Sequence, residues 1–352
     1  IQNLNWSQDG QNYLELKDGK IIKYSILDPS KFEVLFDEAI HKTSSGETIR
    51  VQEFALSTDE RSILIGTESE QIYRRSSKEN NFLFNRTNNT LKQLSTGGKQ
   101  MHATLSPDGK RVAFVRDNNL FWTDVLTGKE TAVTTSGKFN FIINGACDWV
   151  YEEEFSFAKA FAWSPDSKKI AFYTFDESQV PEYNMQMWGD LYPEDYRYKY
   201  PKAGEKNADV SLHIYDVASA KTQKIDLSTY SDFYIARLKW TNDSNVLSAQ
   251  VINRHQDNLD VLFVDGNSGT KKVILNEKDK AYVDVTDNLT FLKDNSFIWT
   301  SEKDGFNHIY YYDKTGKLKN QVTKGNWDVT AYYGFDEKNK TIYYQSVENG
   351  SI

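Results

Sequence analysis

The sequence has a single cysteine, and that scarcity excludes two kinds of site. Cys147 is the only cysteine among 352 residues, so neither a disulfide within the chain nor a cluster of thiolate metal ligands can form. The five histidines are scattered and include no His-x-x-x-His pair. A histidine-based metal site therefore has no support in the sequence either, and we expect no metal.

Long apolar runs and basic stretches are also missing. No run approaches the ~20 apolar residues that a membrane helix needs, so we expect no membrane segment in this chain. The net charge is -8 with a pI near 5.3, and no stripe of lysine and arginine offsets it locally. This balance argues against a nucleic-acid partner, because nucleic-acid sites need concentrated positive charge.

Motifs for a nucleophile or a nucleotide are absent as well. The sequence has no Gly-x-Ser-x-Gly elbow, and its nearest string, residues 266–270, lacks the last glycine and is typical of a hairpin turn. There is no phosphate-binding loop and no dinucleotide fingerprint. We therefore predict no cofactor and no catalytic residue within this chain.

Aromatic residues and a recurrent turn are what the sequence does have. Aromatics make up 14% of the chain, and only six prolines occur, a composition that favours strands. A polar turn recurs at Ser7, Ser57, Ser106 and Ser164, about 50, 49 and 58 residues apart, within the periods typical of propellers. Related turns begin near residues 241, 293 and 336.

The chemistry of these turns predicts hairpins. In Ser-Pro-Asp-Gly, proline presets φ, aspartate bonds its own backbone and glycine accepts a positive φ. Apolar or alternating strands follow, such as residues 111–115, 120–123 and 309–312. Four strands per unit predict an all-β fold, a β-propeller of four-stranded antiparallel blades. The chain covers about six blades and a partial one, so we expect residues 1–352 to be a C-terminally truncated propeller domain.

Two segments interrupt this period. Residues 175–209 form an insertion within the fourth repeat unit, which widens the next spacing to about 77 residues. Such an insertion can carry binding or docking, or can be a variable loop, and its composition does not decide between them. The other segment, residues 148–155, reads Asp-Trp-Val-Tyr-Glu-Glu-Glu-Phe.

The three glutamates of this second segment have a simple explanation and a functional one. A charge run is most often the solvated start of a helix, where acids favour the positive dipole end. The functional alternative is a site for a cation or an ammonium group, and only a short or distorted helical turn would aim two adjacent glutamates at one target. We therefore expect a short helical segment to carry these glutamates. Tyr73-Arg74-Arg75 is the other notable group, since arginine binds carbonyls and carboxylates.

Together these residues resemble the N-terminal β-propeller of the dipeptidyl peptidase IV family, the prolyl-oligopeptidase-type serine exopeptidases. The resemblance rests on Asp-Trp-Val-Tyr-Glu-Glu-Glu at 148–154, on the Trp-Ser-Pro turn at 163–165, and on Tyr-Pro-Lys-Ala-Gly at 200–204 followed by Asn207. The order and spacing of these blocks also match the family. In having a single cysteine, the chain is similar to bacterial members of the family. That similarity implies a periplasmic or secreted protein.

The resemblance implies a function. In the family, an eight-bladed propeller covers an α/β-hydrolase domain that bears a Ser-Asp-His triad and releases X-Pro or X-Ala dipeptides from free peptide N-termini. By position, Glu153 and Glu154 bind the substrate's α-ammonium group, and Arg74, or failing that Arg75, contacts its carbonyl. Glu152 is structural or solvated. The family also implies a homodimer.

The sequence departs from the family pattern in places. The family's second substrate-side arginine has no counterpart near residues 282–287. The hydrolase domain is absent, so we expect this chain alone to be inactive. One alternative is a non-catalytic relative whose propeller binds protein partners. Another is an unrelated propeller glycosidase, for which the adjacent Glu153 and Glu154 are poorly spaced.

Overall fold

The structure, a computed structural model, describes residues 5–350, which divide into two compact units. Unit one comprises residues 5–160 and 173–209, and unit two comprises residues 161–172 and 210–350. Within the described residues, strands dominate and one short α-helix occurs.

Unit one begins with three four-stranded antiparallel sheets, each built in sequence order. Their strands are β1 Asn5–Trp6, β2 Asn12–Lys17, β3 Lys20–Ser25 and β4 Phe32–Asp37; β5 Glu53–Leu56, β6 Ser62–Gln71, β7 Ser77–Asn85 and β8 Thr90–Gln93; and β9 Met101–Leu105, β10 Arg111–Arg116, β11 Asn119–Asp124 and β12 Glu130–Ala132.

The fourth repeat is interrupted by the helix and by an extra hairpin. Its elements are β13 Ile142–Asn144, α1 Trp149–Glu154, β14 Phe161–Trp163, β15 Lys169–Asp176, β16 Glu182–Met187, β17 Glu194–Lys199, β18 Asp209–Asp216 and β19 Lys221–Lys224. In unit one, β13 pairs with the second half of β15, and β16 pairs with β17. In unit two, β14 pairs with the first half of β15, and β18 pairs with β19.

Unit two continues with two four-stranded antiparallel sheets and a two-stranded one. Their strands are β20 Phe233–Trp240, β21 Val246–Asn253, β22 Asn258–Asp265 and β23 Lys271–Lys278; β24 Thr290–Phe291, β25 Phe297–Ser301, β26 His308–Tyr312 and β27 Leu318–Gln321; and β28 Val329–Asp336 and β29 Thr341–Ser346. Repeated up-and-down sheets of this kind are propeller blades, and the predicted all-β propeller class is confirmed.

The recurrent turns join the first and second strands of successive sheets. The buried Ser106 hydroxyl donates to Asp108 at 2.6 Å and accepts the Arg111 N–H at 3.0 Å. The same two bonds recur around Ser57 and Ser164. The serine thus closes each turn onto the second strand, a role that the sequence-based account of proline, aspartate and glycine did not include.

The core lies between the faces of neighbouring sheets. In β6, Ile63 and Ile65 pack with Ile21 and Phe36 of the first sheet, whereas Leu64 packs with residues of the third. Successive side chains of a strand point to opposite faces, so a strand buried on both faces is apolar throughout. Burying each such side chain contributes about 1.5–3 kcal/mol.

Candidate functional site

Helix α1 carries the glutamate run in unit one. Asp148 caps the helix, since its extended backbone precedes the first turn and its carboxylate accepts the Tyr151 N–H at 2.9 Å. At the other end, the Phe155 N–H donates to the Tyr151 carbonyl at 3.1 Å. Val150 and Tyr151 are buried and attach the helix to the unit. The predicted short helical segment is confirmed.

The three glutamates have three different environments. Glu152 is buried, with 1% of its surface exposed. The Glu153 side chain is 19% exposed, and Glu154 is an exposed residue. Consecutive residues on a helix point about 100° apart, so a six-residue helix packed on one side separates them in this way. The run is therefore not a uniformly solvated face.

Glu152 binds a distant segment of unit one. Its Oε1 accepts the backbone N–H groups of Arg75 and Ser76, the latter at 2.8 Å. The Arg75 guanidinium donates to the Glu152 carbonyl at 3.2 Å and to the Ser156 hydroxyl at 3.1 Å. Of the two roles predicted for Glu152, the structure shows the structural one. Arg75 is likewise engaged in holding the segment to the helix.

Arg74 lies beside the next glutamate. Its Nε is 2.9 Å from Glu153 Oε2 and 3.2 Å from Oε1, while the Arg74 side chain remains 70% exposed. Within residues 5–350, the Glu154 carboxylate has no hydrogen-bond or ion-pair partner. The structure thus brings the three predicted site residues Glu153, Glu154 and Arg74 to one accessible region of unit one. Their binding role stays a prediction.

The base of the inserted hairpin packs against this region. The Tyr200 ring centroid is 4.3 Å from that of Trp149, the first residue of α1. The ring centroids of Tyr198 and Tyr73 are 6.0 Å apart, and Tyr73 directly precedes Arg74. The hairpin tip is different, because Trp188, Leu191 and Tyr192 at its turn are 72%, 94% and 84% exposed. The insertion therefore combines a packed base with an exposed apolar tip.

Two buried carboxyl groups interact near the start of the helix, namely its cap Asp148 and Glu177. Burial raises the pKa of the Asp148 carboxyl to about 7, although the N–H bond it accepts acts in the opposite direction. Burial also raises the pKa of Glu177 to about 8, with the Asp148 charge adding to the rise and Lys199 opposing it. The Lys199 ammonium is further occupied by the Val180 carbonyl at 2.8 Å.

Sequence reasoning missed Glu177 and the capping role of Asp148. An aspartate directly before a helical run is a recognisable cap signal and could have identified Asp148. Glu177 has no such local signal, because its environment comes from residues far away in the sequence.

Residues 282–287, where the resemblance implied a second substrate-side arginine, line a cavity of about 650 Å³ in unit two. No arginine is among the described residues that line it, and Asp279, Asp284 and Glu302 make it acidic. Burial and the neighbouring aspartates raise the pKa of Glu302.

The described residues also bear on metal and membrane binding. Across residues 5–350, no group of three or more His, Cys, Asp or Glu side chains is placed to hold a metal ion. No helix in that range is long and apolar enough to cross a membrane.

Comparison with known proteins identifies one family. Residues 57–352 match the family model described as the dipeptidyl peptidase IV N-terminal region. Dipeptidyl aminopeptidase B of Saccharomyces cerevisiae is 28% identical over 357 residues, covering 96% of this chain and 43% of the yeast protein. A probable dipeptidyl-aminopeptidase B of Phaeosphaeria nodorum is 30% identical, covering 84% of this chain and 36% of its own length.

Solved structures of proteins with related names also match this chain. The crystal structure of Porphyromonas gingivalis dipeptidyl peptidase 4 is 41% identical, with a TM-score of 0.94, covering 99% of this chain and 50% of that chain. A putative dipeptidyl aminopeptidase IV from Bacteroides ovatus shares the fold at 21% identity and a TM-score of 0.74. This chain spans less than half the length of the two curated relatives.

Proposed function

The chain belongs to the dipeptidyl peptidase IV family, and from that premise we propose that it is the substrate-recognising propeller of a serine dipeptidyl aminopeptidase. The full-length protein releases X-Pro and X-Ala dipeptides from peptides with a free N-terminus. Glu153 and Glu154 bind the α-ammonium group of the peptide, and Arg74 contacts its carbonyl.

The observation that carries this proposal is the pairing of Arg74 with Glu153 beside the exposed carboxylate of Glu154. A Glu153 oxygen lies 2.9 Å from the Arg74 guanidinium, which orients the carboxylate, and Glu154 is exposed next to it. Two carboxylates that converge on one ammonium form charge-assisted hydrogen bonds, about twice as strong as neutral ones. The exposed remainder of the Arg74 fork is available to a carbonyl oxygen.

A fixed N-terminus determines where the chain is cut. When the ammonium group is held by the glutamates, the peptide cannot slide further, so the reacting bond is always the same number of residues away. The nucleophile comes from an α/β-hydrolase domain outside this chain. We therefore infer that these 352 residues alone hydrolyse nothing.

The test compares Glu153→Ala with wild type in the full-length protein, using Gly-Pro-p-nitroanilide. Losing one partner of a desolvated charge pair costs about 2–5 kcal/mol, so kcat/KM falls roughly 30-fold to a few thousandfold. Glu47→Ala, a surface glutamate exchanged in the same way, serves as the matched control. N-acetylated Gly-Pro substrate, which has no ammonium group, should be cleaved poorly by wild type.

Unchanged activity of both Glu153→Ala and Glu154→Ala would refute the proposed binding of the ammonium group. A separate check concerns the chain beyond residue 352. If no Gly-x-Ser-x-Gly elbow follows there, the non-catalytic alternative, a propeller that binds protein partners, gains support instead.

We also propose that the full-length protein is a homodimer and is periplasmic or secreted. The apolar tip formed by Trp188, Leu191 and Tyr192 supports self-association, since contiguous exposed apolar groups often mark protein interfaces. A monomeric mass for wild type in light scattering would contradict the dimer, and recovery from the cytoplasmic fraction would contradict the location.

A further inference from the structure

The accessible face of α1 carries an aromatic residue as well as a glutamate. Trp149 and Glu153 are four residues apart, so they lie about 40° apart around the helix, on the same face. The residues between them, Val150, Tyr151 and Glu152, are buried, whereas Trp149 and Glu153 are partly exposed. Helical side chains lean toward the N-terminus, which directs the Glu153 side chain over the turn that holds Trp149.

The insertion adds a second ring to this face. The Tyr200 ring lies 4.3 Å from the Trp149 ring, with the two planes inclined at 50°. Tyr200 is itself held in place, because its N–H donates to the Pro181 carbonyl at 3.0 Å and its ring contacts those of Tyr183 and Tyr198 at 5.4 and 5.9 Å. Trp149 and Tyr200 therefore form a fixed aromatic pair one helical turn from Glu153.

We propose that Trp149 and Tyr200, here called the aromatic wall, contact the side chain of the peptide's first residue and favour large apolar side chains there. The proposal rests on the proposed function, because it needs the ammonium group at Glu153. The first side chain leaves the same carbon atom that bears the ammonium group, so it must lie against whatever borders that carboxylate. A rigid aromatic surface there excludes water from an apolar side chain.

The aromatic wall also gives the insertion a role. The sequence left residues 175–209 open between a variable loop and a functional element. Its Tyr200 supplies half of the wall, and its packed base fixes the position of that ring.

The experiment measures kcat/KM of the full-length protein for Phe-Pro-p-nitroanilide and Gly-Pro-p-nitroanilide and takes their ratio. Contact with even one methylene-sized group changes the relative kcat/KM of two substrates roughly 10-fold or more. Tyr200→Ala and Trp149→Leu should therefore each lower the ratio of Phe-Pro to Gly-Pro cleavage about 10-fold. Tyr200→Phe keeps the ring and should restore the wild-type ratio. Tyr343→Ala, which removes an exposed tyrosine of unit two, is the matched control.

Trp149→Phe covers the case in which Tyr200→Ala does not fold, since it places a smaller ring on the same helix face and should lower the ratio about threefold. A wild-type ratio in Trp149→Leu and Trp149→Phe would overturn the aromatic wall. Glu153→Ala separates the two proposals, because it should lower kcat/KM for both substrates, whereas the Trp149 variants should change mainly the ratio between them. Loss of activity in Glu153→Ala with an unchanged ratio in the Trp149 variants would refute the wall alone. Full activity of Glu153→Ala and Glu154→Ala would refute the proposed function.

Discussion

Replacing Glu152 by alanine should release the segment that carries Arg74. Glu152 Oε1 accepts two backbone N–H groups, those of Arg75 and Ser76, and both Glu152 and Ser76 are buried. Glu152→Ala removes the acceptor and leaves two donors without a partner in a place that water does not reach freely. The change therefore acts on the backbone next to Arg74, although Glu152 itself is not a proposed ligand.

The magnitude follows from the two bonds. A hydrogen bond to a charged group contributes about 1.5–3 kcal/mol, so the loss of both bonds costs the local structure about 3–6 kcal/mol. Amide exchange at Arg75 and Ser76 should then accelerate by between about a hundredfold and roughly ten-thousandfold. Glu152→Gln retains a carbonyl acceptor of the same size and should show a much smaller acceleration.

Hydrogen–deuterium exchange measured by mass spectrometry on peptides that cover residues 73–77 provides the assay. Glu154→Ala is the matched control, since it makes the same substitution on the same helix at an exposed position. Peptides from β21, in unit two, serve as an internal reference. Wild-type exchange at residues 75 and 76 in Glu152→Ala would show that the bonds to Glu152 do not hold this segment.

Two further predictions concern stability. Burial raises the pKa values of Asp148 and Glu177 to about 7 and about 8. Between about pH 5 and 8 the folded protein therefore binds protons that the unfolded chain has released, and its stability falls as pH rises. The double variant Asp148→Asn, Glu177→Gln should reduce this dependence of stability on pH by up to about 1.4 kcal/mol per pH unit per proton. Equal slopes for wild type and the double variant, in thermal unfolding measured over this pH range, would contradict the prediction. Gly316 has φ of 87°, and a Cβ there would lie 2.1 Å from the Ile274 carbonyl oxygen, whereas Gly128 has φ of 72° and open space. Gly316→Ala should therefore cost about 2–5 kcal/mol and Gly128→Ala about 1–2 kcal/mol, and similar melting temperatures for the two variants would refute the steric argument.

The fold was predictable because its signals are local. The strand predicted at residues 111–115 appears as β10, and the turn at Ser106 joins it to β9 as expected. Turn residues act within about five positions, and strand patterns depend on alternate side chains, so neither needs knowledge of distant contacts. The serine of the turn was noticed only as a recurrence, because its hydroxyl has two partners that become visible in three dimensions.

The candidate site was predictable only through resemblance. Arg74 and Glu153 are 79 residues apart in the sequence, and no local pattern indicates that they meet. The different environments of the three glutamates could not be predicted either. Helical spacing requires adjacent side chains to diverge, but it does not say which one is buried.

The all-β class, the turns between strands and the short helix follow from local residues, because each depends on side chains within one turn or one strand. Only long-range packing makes Glu152 hold the segment of Arg75 and Ser76, pairs Glu153 with Arg74, and buries Asp148 and Glu177. These outcomes depend on which distant segments exclude water from a given carboxylate. Desolvation and charge pairing arise from the packing of the whole unit, which no short stretch of sequence encodes.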